Sequence, residues 1–378
     1  MAMDRLFLLM KEKEASDMFF AINSPVHLKI NGNLVPINQQ KLDQANILAL
    51  LGEVLSADDM QKLETDNELN IGIPLAGIGR FRLSAFRQRG SISAVFRFVP
   101  GHIPPLDKLH LPETLSSLIM EKRGLMLVVG ATGSGKSTTI ASMLDHRNEL
   151  LSGHILTIED PIEFLFRNKK SIVNQREIGA DADSLYIALK NALRQAPDCI
   201  VIGEIRDKES MAAALAYAQS GHLVVATLHA NNTYHALNRI ISFYPIENRP
   251  ALLQDLASTM KAIISQRLVR TISGNRAPAV EIMLNTRYVA DLIEKGSIDQ
   301  IKEAIEKSLS PGSQTFELAF LQLVKDGIIT AEEAIANADS ATNMLWLLNN
   351  DKSSELFKED EAAKKAEEGA SFTEFTLG

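Results

Sequence analysis

The nine residues from Gly130 to Thr138, GATGSGKST, constrain this chain more than any other stretch. Gly130, Gly135, Lys136 and Ser137 fit G-x-x-x-x-G-K-[ST], a pattern that carries weight only between a strand and a helix. Leu125–Val129 reads as a short apolar strand, and Thr138 to Leu144 reads as the start of a helix. In that setting the loop turns successive backbone N–H groups inward as an anion nest, and the helix N-terminus adds partial positive charge. Gly130, Ala131, Thr132, Gly133, Ser134, Gly135, Lys136, Ser137 and Thr138 are therefore candidate phosphate-cradle residues. Lys136 is placed to neutralise β- and γ-phosphate charge, and the Ser137 hydroxyl to ligate Mg²⁺, so ATP and Mg²⁺ are the implied cofactors. The blander reading, a Gly-rich turn matching by chance, fails to account for the strand before and the helix after.

A chain of 378 residues calls for two or three domains. Residues 1–100 read as a small α+β domain. A helix over Met3 to Glu14 is followed by strands at Met18–Ile22, His27–Ile30 and Leu34–Ile37, with an Asn31-Gly32 hairpin turn. Helices are expected at Leu42–Leu55 and, capped by Ser56, at Ala57–Glu64; strands follow at Gly79–Arg87 and Ile92–Val99. Residues 101–112 form a linker, its start stiffened by the prolines of Pro100-Gly101-His102-Ile103-Pro104-Pro105. Residues 113–287 then alternate buried strands (Leu125–Val129, His154–Ile158, Cys199–Ile202, Leu223–Thr227, Ala279–Met283) with helices at Ser184–Arg194, Ser210–Gln219 and Ala251–Ser265. That alternation predicts an α/β domain, a parallel sheet covered on both faces. Residues 288–350 read as helices only. Residues 351–378 carry eight acids against four lysines, 8 − 4 giving a net charge of −4, the pattern of a solvated acidic tail.

Four clusters in the 113–287 region bear on chemistry. Glu159, Asp160 and Glu163 follow a strand, and carboxylates at strand C-terminal ends of an α/β sheet face the ligand crevice, where one can orient a water against a γ-phosphate. Their alternative is a charged turn. Cys199–Ile202 with Gly203-Glu204 has the form of a Walker B strand, but glycine replaces the usual aspartate, which leaves Glu204 to serve Mg²⁺ or its waters. His222 and His229 flank the strand Leu223–Thr227; a histidine there is ordinarily a hydrogen-bonded rim residue, and the alternative is a γ-phosphate sensor. Arg206 and Asp207 read as a structural ion pair.

Composition excludes other classes. One cysteine, Cys199, rules out an intrachain disulfide and a Cys-rich metal site, and its apolar run predicts a buried, inert thiol. The net charge of −8 disfavours a general nucleic-acid binder, so no nucleic-acid partner is expected, although a RecA-like translocase is the runner-up reading and a non-hydrolysing structural partner of another motor the third. No run of about 18 uncharged apolar residues is present to span a membrane, and no signal peptide precedes the charged stretch at Lys11–Glu14.

With these residues assembled, the chain resembles the type IV pilus retraction ATPases of the PilT/PilU kind, within the secretion ATPase superfamily. The resemblance covers about residues 1–345 and rests on ASD at 15–17, RFRLSAFRQRG at 80–90, GATGSGKSTT, LTIEDPIEF at 156–164, VNQREIG at 173–179, VIGEIRD at 201–207 and SGHLVVATLHAN at 220–231. It implies a homohexamer with a PAS-like N-terminal domain on a RecA-like P-loop core and a helical C-terminal region. It also implies Glu163 as catalytic glutamate, Glu204 as the Walker B glutamate, His229 near the γ-phosphate, and Arg82 and Arg97 reaching the nucleotide. The implied partners are a PilT-type motor and an inner-membrane pilus platform protein, the implied location the cytoplasmic face of that membrane. The AIRNLIRE-like motif of PilT-type chains is replaced here by Tyr288-Val289-Ala290-Asp291-Leu292-Ile293-Glu294-Lys295. With Phe19-Phe20 and the acidic tail, this points to the PilU-like branch. The four-cysteine zinc module usual in assembly and secretion motors is ruled out by the cysteine count.

Overall fold

The computed structural model describes residues 2–30, 32–75, 77–99, 102–308 and 310–350. The acidic tail at 351–378 and part of the proline-rich linker lie outside them. Contacts divide the chain into two compact units. The first comprises residues up to Ile103 together with Thr157–Asn168 and Val173–Asn191; the second comprises Pro104–Leu156, Lys169–Ile172 and the chain from Ala192 onward. Two pieces of the middle region thus group with the N-terminal residues.

The N-terminal portion runs α1 (Ala2–Glu12), β1 (Asp17–Phe20), β2 (His27–Ile30), β3 (Asn33–Pro36), α2 (Gln44–Gly52), α3 (Ala57–Asp66), β4 (Glu68–Leu75), β5 (Gly79–Gln88) and β6 (Ser91–Val99). The six strands form one sheet in the order β3-β2-β1-β6-β5-β4, antiparallel at every pairing. Alternation in β5 sends Phe81, Leu83 and Ala85 inward, where Phe81 and Phe96 pack on Phe7 of α1 at ring separations of 4.2 and 5.3 Å. Ser56 caps α3 through a reciprocal pair with Asp59, as its sequence suggests. Helix α2 begins at Gln44 rather than at Leu42, because Asp43 and Asn46 form a capping box there and Leu42 bridges to Ile22. The strand β4 is an addition to the sequence reading. Gly72 and Pro74 mask its alternation, and a proline is tolerated because β4 is an edge strand.

The chain continues through α4 (Thr114–Leu118), β7 (Gly124–Val129), α5 (Lys136–Leu150), β8 (Gly153–Glu159), β9 (Ser171–Glu177), α6 (Leu185–Ala192), β10 (Cys199–Ile202), α7 (Lys208–Gln219), β11 (Leu223–Leu228), α8 (Thr233–Ser242), α9 (Arg249–Thr259), β12 (Met260–Arg270) and β13 (Arg276–Leu284). Its seven strands are ordered β13-β12-β7-β11-β10-β8-β9. The pairs β7–β11, β10–β11 and β7–β12 are parallel, whereas β13 returns antiparallel on β12. The helix expected over Ala251–Ser265 therefore stops at Thr259. Met260 onward is a strand that pairs with β7 on one side and β13 on the other, and neighbours on both sides override the helical pattern. Every residue of β7 and β10 is buried, Cys199 among them, and burial pushes its thiol up to about 12.

The C-terminal helices are α10 (Arg287–Glu294), α11 (Ile301–Glu306), α12 (Phe316–Lys325), α13 (Ala331–Asn337) and α14 (Ala341–Asn350). Phe316, Phe320, Leu323, Ile329, Ala334, Met344 and Leu348 share one core with Val269 and Ala279 of the sheet. Among the described residues no helix is long and apolar enough to cross a membrane.

Candidate functional site

The site begins where β7 ends. Gly130 adopts φ +156° and Gly135 φ +88°, and at both a Cβ would strike Gln266 of the neighbouring β12: its carbonyl oxygen at 2.5 Å and its Nε2 at 2.8 Å. Only glycine leaves that clearance, so the loop is laid directly on β12. Gln266 accepts from the Thr139 hydroxyl at 2.8 Å in a buried contact, which ties the first turn of α5 to the same strand. Gly135 is the N-cap of α5 and supplies no side-chain cap, and the positive end of that helix suits an anion. Lys136, 9% exposed, folds back over the loop and donates to the carbonyls of Gly130 and Ala131 at 2.8 and 2.9 Å. The buried Ser134 hydroxyl has no hydrogen-bond partner. Uncapped amides, a fixed ammonium and an orphaned hydroxyl are the donor set that a polyphosphate satisfies.

The parallel register places two further residues beside this loop. Leu228, the last residue of β11, pairs with Val129, so His229 follows its strand at the level where Gly130 follows β7. The adjacent β10 ends at Ile202 and leads into Gly203 and Glu204. His229 Nε2 lies 3.2 Å from one oxygen of Glu204, and Arg206 Nε donates to the other at 2.7 Å. Gly203 stands where a Walker B aspartate is usual; its carbonyl accepts from the Thr227 hydroxyl. A cleft of about 460 Å³ opens here, lined by Gly130, Ala131, His229 and Asn231 and, from α8, by His235 and Arg239. Among the described residues no three His, Cys, Asp or Glu side chains converge on a metal position. A divalent ion would draw its ligands from Ser137, Glu204, phosphate oxygens and water, which is how Mg²⁺ binds.

One sequence reading changes and another is widened. His222 precedes β11 at the end opposite His229, and its carbonyl accepts from Gly124 N at the start of β7. Six strand residues, about 20 Å, separate it from the loop. Its Nδ1 faces the Tyr217 carbonyl at 3.2 Å and the Ser220 hydroxyl at 3.0 Å, so within this chain it finishes α7 and does not touch the phosphate cradle. Arg206, read beside Asp207 as a structural ion pair, also bonds Glu204, and Asp207 caps α7. Its carboxyl accepts from Ser210, and those hydrogen bonds hold it below the usual carboxylate range.

The remaining candidates belong to the first unit. Glu163 is exposed on the segment after β8. Burial pushes the Glu159 carboxyl up, against hydrogen bonds from the Thr157 hydroxyl at 2.6 Å and Gln175 Nε2 at 3.1 Å. Arg82 and Arg97 are direct cross-strand partners on β5 and β6. Like charges so placed repel unless countered, and the buried Asp17 on β1 counters them, accepting from Arg97 Nε at 2.7 Å.

Sequence reasoning missed the clamp that holds the loop after His229. Arg267 on β12 donates to the carbonyls of Asn231 and Asn337 at 3.1 and 2.5 Å, bonds Asp339, and lies 3.9 Å over the Phe316 ring. Asp339 also accepts from Asn232, the N-cap of α8. Burial works against the Asp339 charge, but the bonds from Arg267 and Asn232 outweigh it and hold the carboxyl low. Beneath them Glu281 accepts from Thr233 N at 2.8 Å, and burial pushes its carboxyl up.

Comparison with known proteins agrees with this geometry. The family described as "Type II/IV secretion system protein" matches residues 3–337. The chain is 44% identical to the type IV pilus ATPase PilU of Pseudomonas aeruginosa, over 92% of this chain and 91% of that one. It is 36% identical to the pilus retraction ATPase PilT of the same organism, over 91% of this chain and 100% of that one. Its fold matches the crystal structure of the pilus retraction motor PilT with bound ADP at a TM-score of 0.83, with 38% identity, covering 89% and 98% of the two chains. It matches the Legionella pneumophila ATPase DotB at a TM-score of 0.78, with 27% identity, covering 89% and 96%. The chain is an ATPase with a RecA-like core and a PAS-like N-terminal domain, and it belongs to the PilT/PilU family of type II/IV secretion system proteins.

Proposed function

We propose that this ATPase is a motor subunit of a type IV pilus machine, acting as a homohexamer at the cytoplasmic face of the inner membrane. It turns a platform protein there and assists a PilT-type motor in withdrawing pilin. The observation that carries the reading is the Glu204–His229 pair seated beside the loop at Gly130–Ser137. Likeness to PilU, above that to PilT, supports the assisting role.

Each residue then has a chemical task. The loop amides and Lys136 hold the β- and γ-phosphates, where fixed donors stabilise charge without reorganising. Ser137 and Glu204 hold Mg²⁺, which supplies charge neutralisation on the phosphates. Glu163 orients the attacking water. His229, in contact with Glu204, reports whether a γ-phosphate is present. Arg82 and Arg97 bring a rigid, permanently charged fork from the N-terminal domain, so that nucleotide state and domain angle are linked. The domains in this reading are 1–100, 113–287 and 288–350, with a linker at 101–112 and an acidic tail.

The deciding experiment is deletion of the gene followed by imaging of pilus retraction, with and without a co-resident PilT-type ATPase. Weakened retraction in the single deletion, restored by wild type but not by Lys136→Ala, is expected. Unchanged retraction force and frequency would refute the motor assignment.

A further inference from the structure

Side chains of β9 hold the segment on either side of Glu163, whose own N–H donates to Glu159 Oε2 at the end of β8 at 3.5 Å. Gln175 Oε1 accepts from Phe166 N at 3.0 Å, and its Nε2 donates to the Phe164 carbonyl at 2.8 Å. On the other side of Glu163, Ile162 N donates to Glu177 Oε2 at 3.0 Å. Glu177 is 3% exposed, and a carboxylate so buried needs a cation. The cation is Arg80 of β5, whose Nη2 donates to the same Oε2 at 2.5 Å. One carboxylate oxygen therefore joins a strand of the N-terminal sheet to the peptide preceding Glu163.

The sheet has made room for this pair. At Gly72 of β4 a Cβ would overlap Arg80 Nη2 and come within 2.9 Å of Glu177 Oε1. Gly72 and Pro74 are the residues that break the strand pattern of β4, and the clearance gives Gly72 its reason. Arg80 also lies on the same face of β5 as Arg82, two residues on, yet is engaged differently: it faces a buried acid of its own unit.

We propose that Arg80 is a positioning residue for hydrolysis, which through Glu177 fixes the peptide before Glu163 and makes its placement depend on the N-terminal sheet. The inference rests on the reading of Glu163 as the glutamate that orients water. Arg80 touches no substrate. Its effect falls on the chemical step and not on nucleotide affinity, because the phosphate cradle is built from other residues. A misplacement of about 1 Å at a catalytic group is enough to cost one to two orders of magnitude in rate.

The test is steady-state ATPase of the purified full-length protein, with a fluorescent ADP analogue measuring affinity and circular dichroism confirming the fold. Arg80→Ala is expected to lower kcat about tenfold or more while KM for ATP and analogue affinity stay within about twofold. Arg80→Lys, which keeps the charge, should recover part of the loss. Gly72→Ala should reproduce it, because the added methyl displaces the flexible end of Arg80 without removing it. Combined with Glu163→Gln, Arg80→Ala should add little, since both act on one step. Wild-type kcat in both Arg80→Ala and Gly72→Ala would overturn the inference, as would full additivity with Glu163→Gln or a loss confined to KM. Normal turnover in Glu163→Gln alone would remove the catalytic reading of Glu163, and the inference with it.

Discussion

Arg267→Ala should loosen the C-terminal helices and the loop after His229 together. The side chain makes charge-assisted bonds to Asn231, Asn337 and Asp339 and stacks on Phe316. Arg267 and Asp339 are 22% and 18% exposed, so the pair is mostly but not fully desolvated. Removing one member of a buried pair costs about 3–5 kcal/mol, and partial exposure places this one near the lower end, about 3 kcal/mol. Because the chain has two units, a single melting temperature would blur the effect. Hydrogen exchange resolves it. About 3 kcal/mol of local opening corresponds to roughly a hundredfold loss of protection in the amides of α13. Arg267→Lys should restore less than half of this free energy, because a point charge cannot span three acceptors. Since the folded Asp339 carboxyl is held below its usual value, its contribution is present above about pH 4 and is lost as pH falls through the lower folded value. The difference between wild type and Arg267→Ala should therefore narrow below about pH 4. Protection changed by less than about threefold, the range of an ordinary surface substitution, would refute the clamp.

Three further outcomes are expected. Lys136→Ala should fold and lose hydrolysis, because water cannot replace a fixed cation over the Gly130 and Ala131 carbonyls; wild-type turnover would end the phosphate-cradle assignment. Glu163→Gln should bind MgATP and hydrolyse it slowly, whereas Glu204→Gln should also weaken Mg²⁺ dependence, seen as a raised half-saturating Mg²⁺ concentration; identical Mg²⁺ curves would show that Glu204 serves only His229 and Arg206. Arg97→Ala should lose most ATPase, on the order of a hundredfold, and Arg82→Ala somewhat less. Because Arg97 also partners the buried Asp17, Asp17→Asn separates the two roles: it should keep the fold and leave turnover near normal, and an equal loss there would assign Arg97 to stability.

The core strands and the phosphate loop were legible because both are local. Apolar runs such as Cys199–Ile202 start and stop where the sequence says, and the glycine-lysine spacing carries its own geometry. What the sequence hid depends on partners distant in the chain. The start of β12, Met260 to Ser265, looks helical until β7 and β13 are set beside it, and Gln266, which floors the loop, and Arg267 follow it in the same strand. β4 was hidden by Gly72, a residue kept small for a guanidinium eight positions on. The two histidines flanking β11 look equivalent in sequence, but a parallel strand has two ends, and only one of them meets the loop.

The buried thiol of Cys199 has a practical consequence. With no other sulfhydryl in the chain and this one inaccessible and raised to about 12, thiol-directed probes have no native target under mild alkaline conditions. Cysteines introduced at exposed positions, such as Gln39 in the first unit and Glu247 in the second, would react alone without prior removal of the natural residue. A fluorophore pair so attached turns the wild-type background into a ruler, able to report during ATP turnover whether the distance between the two labels changes.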